Sequence, residues 1–184
     1  MSTKTVSNRN EPVIESRDQL VAAIAKGEKP KDRWRIGTEH EKFVYCRKNF
    51  NAPSYDEPGG IRDLLMALTE FGWSPVMEGD NVIAMSGPDG TVSLEPAGQL
   101  ELSGAPLENL HQTCAETGRH LKQVKAIGEK TGKGFLGLGL WPDKTREELP
   151  IMPKGRYAIM LRHMPRVGSM GLDMMLRTCT IQVN

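Results

Sequence analysis

Apolar and polar residues alternate along the chain in two distinct periods, and these lay out its elements. In "SRDQLVAAIAKGEK" Ser16 is placed to cap a helix, Leu20, Ala23 and Ile24 recur at helical spacing, and Gly27 and Pro30 end the run. Residues 34–45 alternate with a period of two and predict a strand. "IRDLLMALTEFG" puts Ile61, Leu64, Leu65 and Leu68 on one helical face before Gly72 stops it. "DNVIAMSGPDGTVSLEP" predicts a hairpin turning at "SGPDG", and its second arm resumes as "GQLELS" after a break at Pro96–Gly98. The longest helix covers "PLENLHQTCAETGRHLKQVKAIGEKTG", with Leu107, Leu110, Cys114, Leu121, Val124 and Ile127 as its apolar stripe. "GFLGLGL" predicts a buried strand, "LPIMPKGRYAIMLRHMP" a loop and then a helix from about residue 155, and "GLDMMLRTCTIQVN" leads into a last strand. The hairpin within this mixed order predicts an α+β domain: a mainly antiparallel sheet with helices packed on one side. Residues 1–14 carry no periodic pattern and are expected to be disordered.

The polar side of the strand pattern carries the chemistry. Residues i and i+2 share a face of a strand, so Glu39 and Glu41 in "RIGTEHEKFVY" point the same way. Trp34, Ile36 and Val44 fall on the other face and are expected to be buried, and His40 faces away from the two glutamates. In "TVSLEPAGQLELS", Ser93, Glu95, Gln99, Glu101 and Ser103 alternate with Val92, Leu94, Leu100 and Leu102. Thr178, Thr180, Gln182 and Asn184 alternate with Cys179, Ile181 and Val183. Three strands thus present carboxylates or carboxamides with almost no lysine among them. A solvated sheet face remains one reading. The other is a cation site, because like charges facing one another repel and oxygen donors suit a hard ion, Mg²⁺ or Mn²⁺.

Composition narrows the setting. The 184 residues suffice for one domain, and a formal charge of +1 supplies no field for nucleic acid. No apolar run approaches the ~20 residues of a membrane-spanning helix. The N-terminus lacks the apolar core of a secretory signal. The three cysteines, Cys46, Cys114 and Cys179, follow no zinc or CxxC spacing; the expected compartment is the reducing cytoplasm. Cys114 is expected to be a small buried residue of the long helix. "GKGFLG" fits GxGxxG but follows a helix and opens a strand, the reverse of the dinucleotide-binding order. No P-loop is present. The Met-rich run "MPRVGSMGLDMM" reads equally as core filling or as a loop over a substrate, with Arg156, Arg162, Arg166 and Arg177 around it. The final residues read as a strand in progress, which predicts a piece of a longer protein.

"GTEHEKF", "SLEPAGQLELSGAPLENLHQTCAE", "GFLGLG", "PIMPKGRY" and "GLDMMLRTCTIQVN" together resemble glutamate–cysteine ligases of the plant and proteobacterial type, in the family's order from about residue 34 onward. The resemblance implies a curved antiparallel sheet like that of the glutamine-synthetase superfamily, with residues 15–184 forming the N-terminal part of the catalytic domain. It implies ATP and Mg²⁺ on the concave face, L-glutamate phosphorylated at its γ-carboxylate, and attack by the amino group of L-cysteine. By the same resemblance Glu39, Glu41 and Glu101 are metal ligands, with Glu95 a companion. Glu95, Gln99, Gln182 and Asn184 lie where metal, nucleotide or substrate contacts fall, and Arg177 neutralises phosphate or carboxylate. Cys114 matches a cysteine that pairs, in the plant-type group, with one farther along the chain. Two alternatives stand beside this reading: a ligase for another amine, and an inactive cation-binding domain of the same fold. Ala97 replaces the glycine of the family's "EPGGQ", a strained choice if that position requires positive φ.

Overall fold

The computed structural model describes residues 13–88 and 90–184. The expected disorder of residues 1–14 therefore falls largely outside the described residues, as does part of the "SGPDG" turn.

The first helix, α1 (Arg17–Ala25), starts as its sequence dictates: the Ser16 hydroxyl accepts from the Gln19 backbone N–H, and Gln19 reaches back to complete a capping box. It buries no residue. A 3-10 turn (Lys31–Arg33) then delivers the chain to β1 (Thr38–Cys46), around which the rest is arranged. After α2 (Ile61–Ala67) come β2 (Ser74–Glu78), β3 (Asn81–Gly87), β4 (Gly90–Leu94) and β5 (Leu100–Ser103). The long helix α3 (Leu110–Thr131), β6 (Lys133–Leu136), α4 (Gly155–Val167), α5 (Gly171–Arg177) and β7 (Ile181–Val183) follow. The sheet runs β2-β3-β4-β5-β1-β6, with β7 also on β1, and every pairing is antiparallel. β1 is long enough to hold β5 along one edge and two strands along the other: β7 against residues 38–40 and β6 against residues 43–46.

The α+β expectation and the antiparallel sheet hold; the placing of all helices on one side does not. The core fills the face lined by Val44, Met85, Val92, Leu94 and Leu102, where Ile61, Leu64 and Leu65 of α2 and Val124 and Ile127 of α3 are buried. α4 and α5 meet the polar face instead, bringing Met160, Met174 and Met175 beside Glu41 and Glu95.

Other differences have local causes. β2 escapes the sequence pattern because it is a five-residue edge strand containing Pro75, which an edge tolerates. α5 is a two-turn helix hidden in a segment that reads as the approach to a strand. "GFLGLGL" is a strand only through Leu136; beyond it, Leu140 bridges Thr178. Trp34 is 63% exposed rather than buried, because the 3-10 turn precedes it and β1 begins only at Thr38. The buried stripe of α3 is Thr113, Glu116, His120, Val124 and Ile127; Leu110, Cys114 and Leu121 point outward. The helix packs its polar residues over β1, where His40 and Lys42 lie. Ile181 and Val183 are exposed, and only Cys179 of the expected apolar set is buried. Ala97 does not need positive φ; Gly98 takes it, at 85°.

Candidate functional site

The strand register settles which polar side chains share a face. Glu41 lies directly opposite Glu101, Glu101 opposite Ser93, and Glu39 opposite both Ser103 on β5 and Gln182 on β7. The glutamates that the period of two singled out on separate strands are therefore neighbours.

Each carboxylate is held by a different partner. Thr180 donates to Glu41 twice, from its backbone N–H at 2.8 Å and its hydroxyl at 3.1 Å. The Asn184 carboxamide donates to Glu39 at 3.1 Å. The Ser103 hydroxyl donates to Glu101. Glu95, just beyond β4, accepts from Arg156 at 3.5 Å. Burial raises the Glu41 carboxyl above the usual range, with the charges of Glu101 and Glu39 adding to it. Glu95 is pushed up to about 7, first by burial and then by the Glu101 charge; Lys154, and after it the exposed Arg156, offset only part of this.

A buried cation lies behind this face. Lys42 lies on the opposite side of β1, 2% exposed, with its ammonium donating to the His40 carbonyl at 2.7 Å. Burial lowers it to about 8, while Cys179, Glu101 and Glu41 pull the other way. The lysine that seemed missing from the polar pattern thus lies beneath the sheet, where a strict alternation assigns it to the core side.

Beside Glu41 and Glu95 opens a cavity of about 210 Å³. Gln99, Thr178, Thr180 and Gln182 form its polar wall, and Met160, Met174 and Met175 its apolar one. Gln99 is buried and its carboxamide is committed to backbone: it accepts from Ala97 at 2.9 Å and donates to Thr178 at 2.8 Å. It braces the Pro96–Gly98 turn against the strand leading to β7. Arg177 is turned elsewhere. Its guanidinium pairs with Asp173 at 3.1 Å, and Arg146 pairs with the other oxygen of the same carboxylate, also at 3.1 Å. Gln182 donates weakly to Thr180 at 3.4 Å.

Among the described residues no three His, Cys, Asp or Glu side chains converge on one point in a metal cage. The donor set nonetheless fits a hard cation, since all its atoms are oxygens and Glu41 and Glu101 are register partners. Mg²⁺ usually takes one or two carboxylates together with substrate phosphates and water, so a closed cage is not required. Sequence reasoning did not single out Thr180 or Ser103 as the partners that orient the carboxylates, though both belong to the polar sets it recognised. The methionine wall could be found only by knowing where α4 and α5 pack.

An α+β sheet with these carboxylates on one face belongs to a defined class: residues 35–184 match the model of glutamate-cysteine ligase family 2, and the chain is a member of that family. It is 56% identical over 170 residues to the chloroplastic glutamate–cysteine ligase of Brassica juncea, covering 92% of this chain and 32% of that protein. The Arabidopsis thaliana ligase gives the same identity and coverage. Glutamate–cysteine ligase A of Oryza sativa subsp. japonica, also chloroplastic, is 53% identical over 183 residues, covering 99% of this chain and 36% of its own length. The chain spans about a third of the length of these relatives. Their plastid names overturn the cytoplasmic expectation, which rested only on three cysteines without zinc or CxxC spacing.

Proposed function

We propose that this chain contributes the metal- and phosphate-handling face of a glutamate–cysteine ligase, which joins the γ-carboxyl of L-glutamate to the amino group of L-cysteine at the expense of ATP. The observation that carries this reading is the cross-strand pair Glu41–Glu101, with Glu39 beside it, in a chain of this family. Phosphoryl transfer between anions is mainly a problem of placing positive charge among negative groups. Glu39, Glu41 and Glu101 would hold Mg²⁺ or Mn²⁺, which supplies charge neutralisation to the nucleotide phosphates. The fold would then be a portion of a glutamine-synthetase-like domain.

The protein's own residues have definite tasks in this scheme. Thr180 and Asn184 fix the rotamers of Glu41 and Glu39. Gln99 acts as a positioning residue, holding the turn after Glu95 against the strand that carries Thr180. Glu95, with its carboxyl near neutrality, can hold or release a proton beside the cavity or join the cation set when ionised. The cavity next to Glu41 is of a size for a small amino-acid side, and its thioether wall suits a soft thiol better than a charge. Gln182 is part of its polar wall. Arg177, tied to Asp173, takes a phosphate or carboxylate only if that pair opens. No strong general base is needed, because an acyl phosphate already activates the carboxyl carbon toward an amine.

The test is ADP release by the whole protein supplied with Mg²⁺, ATP and L-glutamate, with and without L-cysteine. Release that requires both amino acids supports the ligase. Release with glutamate and a different preferred amine indicates a related carboxylate–amine ligase. Cation binding without any release leaves an inactive domain of the fold.

A further inference from the structure

A second pocket lies at the opposite end of β1 from Glu39. Phe43 and Tyr45 continue the odd-numbered face past Glu41, and there the face turns from carboxylate to aromatic. About 250 Å³ of space opens among Phe43, Tyr45, Phe50, Leu136, Trp141 and Asp143. The rings come in two pairs. Phe43 meets Trp141 edge to face, with centroids 4.7 Å apart, and Tyr45 stacks on Phe50 at 6.0 Å. Tyr45 has room because its register partner on β6 is Gly134, where a Cβ would lie 2.2 Å from the ring. Among the described residues Asp143 is the one charged group of the lining. The Trp141 indole N–H donates to one of its oxygens at 3.0 Å and orients the carboxylate. Lys144 reaches Asp143 only at 3.8 Å and is shared with Glu148 at 4.0 Å, which leaves most of the Asp143 charge uncompensated. Phe50 is the one non-glycine with positive φ among the described residues, at 58°. A bulky residue seldom takes that conformation. The tight turn from Cys46 to Asn51 that imposes it would accept glycine or asparagine there. The Phe50 ring is 63% exposed, so burial does not offset the strain. Strain of this kind persists where a binding site uses it.

We propose that this pocket binds a small organic cation, an alkylated ammonium, with its methyl groups against Tyr45, Phe50 and Trp141 and its charge toward Asp143. The proposal goes beyond the ligase reading: the pocket contains none of the glutamates of that face and calls for no metal. Aromatic ring faces carry negative charge density and attract cations. Alkylation thins the hydration shell of an ammonium group and gives it apolar surface to set against the rings. Aromatic cages for such groups work in this way. An anionic guest would meet the Asp143 charge, and a metal ion would find a single carboxylate.

Ligand-observed NMR on the whole protein tests this. The probes are choline, ethanolamine, and the neutral isostere of choline in which tert-butyl replaces trimethylammonium. Choline should show saturable binding through its methyl signal. The isostere and ethanolamine should each bind at least about tenfold more weakly, one lacking the charge and the other the methyl groups. Asp143→Asn keeps an acceptor for the Trp141 N–H. It should weaken choline binding about tenfold and leave the isostere unaffected. Phe50→Asn should abolish choline binding without lowering the melting temperature, because asparagine tolerates positive φ. A residue kept only for packing would behave in the opposite way. The inference is overturned if choline does not bind, if either analogue binds as tightly as choline, or if Phe50→Asn binds choline like the parent. The ligase reading stands or falls separately, since neither variant alters the carboxylate face and ADP release is measured without any of these probes.

Discussion

Glu41 and Glu101 stand opposite each other on adjacent antiparallel strands, two like charges forming one cross-strand pair. Such a pair destabilises a sheet by up to ~1 kcal/mol, so its presence on a folded surface needs a reason outside the fold. Glu101→Gln should raise the melting temperature of the cation-free protein and abolish the further rise that Mg²⁺ gives the parent. A calorimetric scan with and without Mg²⁺ checks both. An equal Mg²⁺ effect in parent and variant would remove Glu101 from the cation set.

Glu41→Gln tests the same pair through chemistry. In the whole protein it should lower turnover by ~100-fold or more, the usual effect of losing one preorganised charge-stabilising contact. Far-ultraviolet circular dichroism should not change, since the amide can still accept from Thr180. Near-normal turnover would refute the role.

Glu95 offers a pH test. Its carboxyl lies at about 7 in the folded protein, against 4.5 for an ordinary glutamate. The folded chain therefore keeps a proton that the unfolded chain loses. This contribution to stability is complete below the ordinary value and disappears as the pH rises through about 7. Glu95→Gln, a mimic of the protonated form, should match the parent's melting temperature near about pH 4 and exceed it at about pH 8, measured without divalent cations.

The cysteines should differ in reactivity. Cys114 is exposed on α3, whereas Cys179 is buried and its thiol is pushed up to about 11 by burial and the Glu41 charge. A thiol reagent should label Cys114 long before Cys179, which should react only on unfolding. Cys114→Ser should leave turnover under reducing conditions nearly unchanged; mass spectrometry of the labelled sites and a simple rate measurement decide.

One glycine is placed by close approach. A Cβ on Gly134 would lie 2.2 Å from Cζ of the Tyr45 ring, its register partner on β1. Gly134→Ala should cost about 1–3 kcal/mol through overpacking, read from urea unfolding. Removing the ring as well, with Tyr45→Ala, should relieve the added cost.

The polar face of the candidate site was legible in the sequence because a period of two is a geometric statement. It assigned Glu39, Glu41, Glu101 and Gln182 to polar faces, and the register then joined those faces into one. What it could not supply was the third dimension. Trp34 looked like a core residue because alternation does not reveal where a strand begins. Leu110 and Leu121 looked buried because a helical stripe is judged by hydrophobicity, whereas α3 was fitted to the polar underside of β1 and turns Glu116 and His120 inward. Gln99 shows the same limit. Its parity placed it on the polar face, but its carboxamide is consumed by a turn and a crossing strand that only the tertiary fold brings within reach.

The shared edge of β1 also orders events in time. Thr38 pairs with Val183, and Cys46 with Lys133, so the earliest strand waits for residues made far later. Pairings so distant in sequence are slow to form. A nascent chain on the ribosome would carry Glu39 and Glu41 uncovered until Thr180 and Asn184 emerged, and the stage before that is when the uncovered flank of β1 is open to capture by another strand.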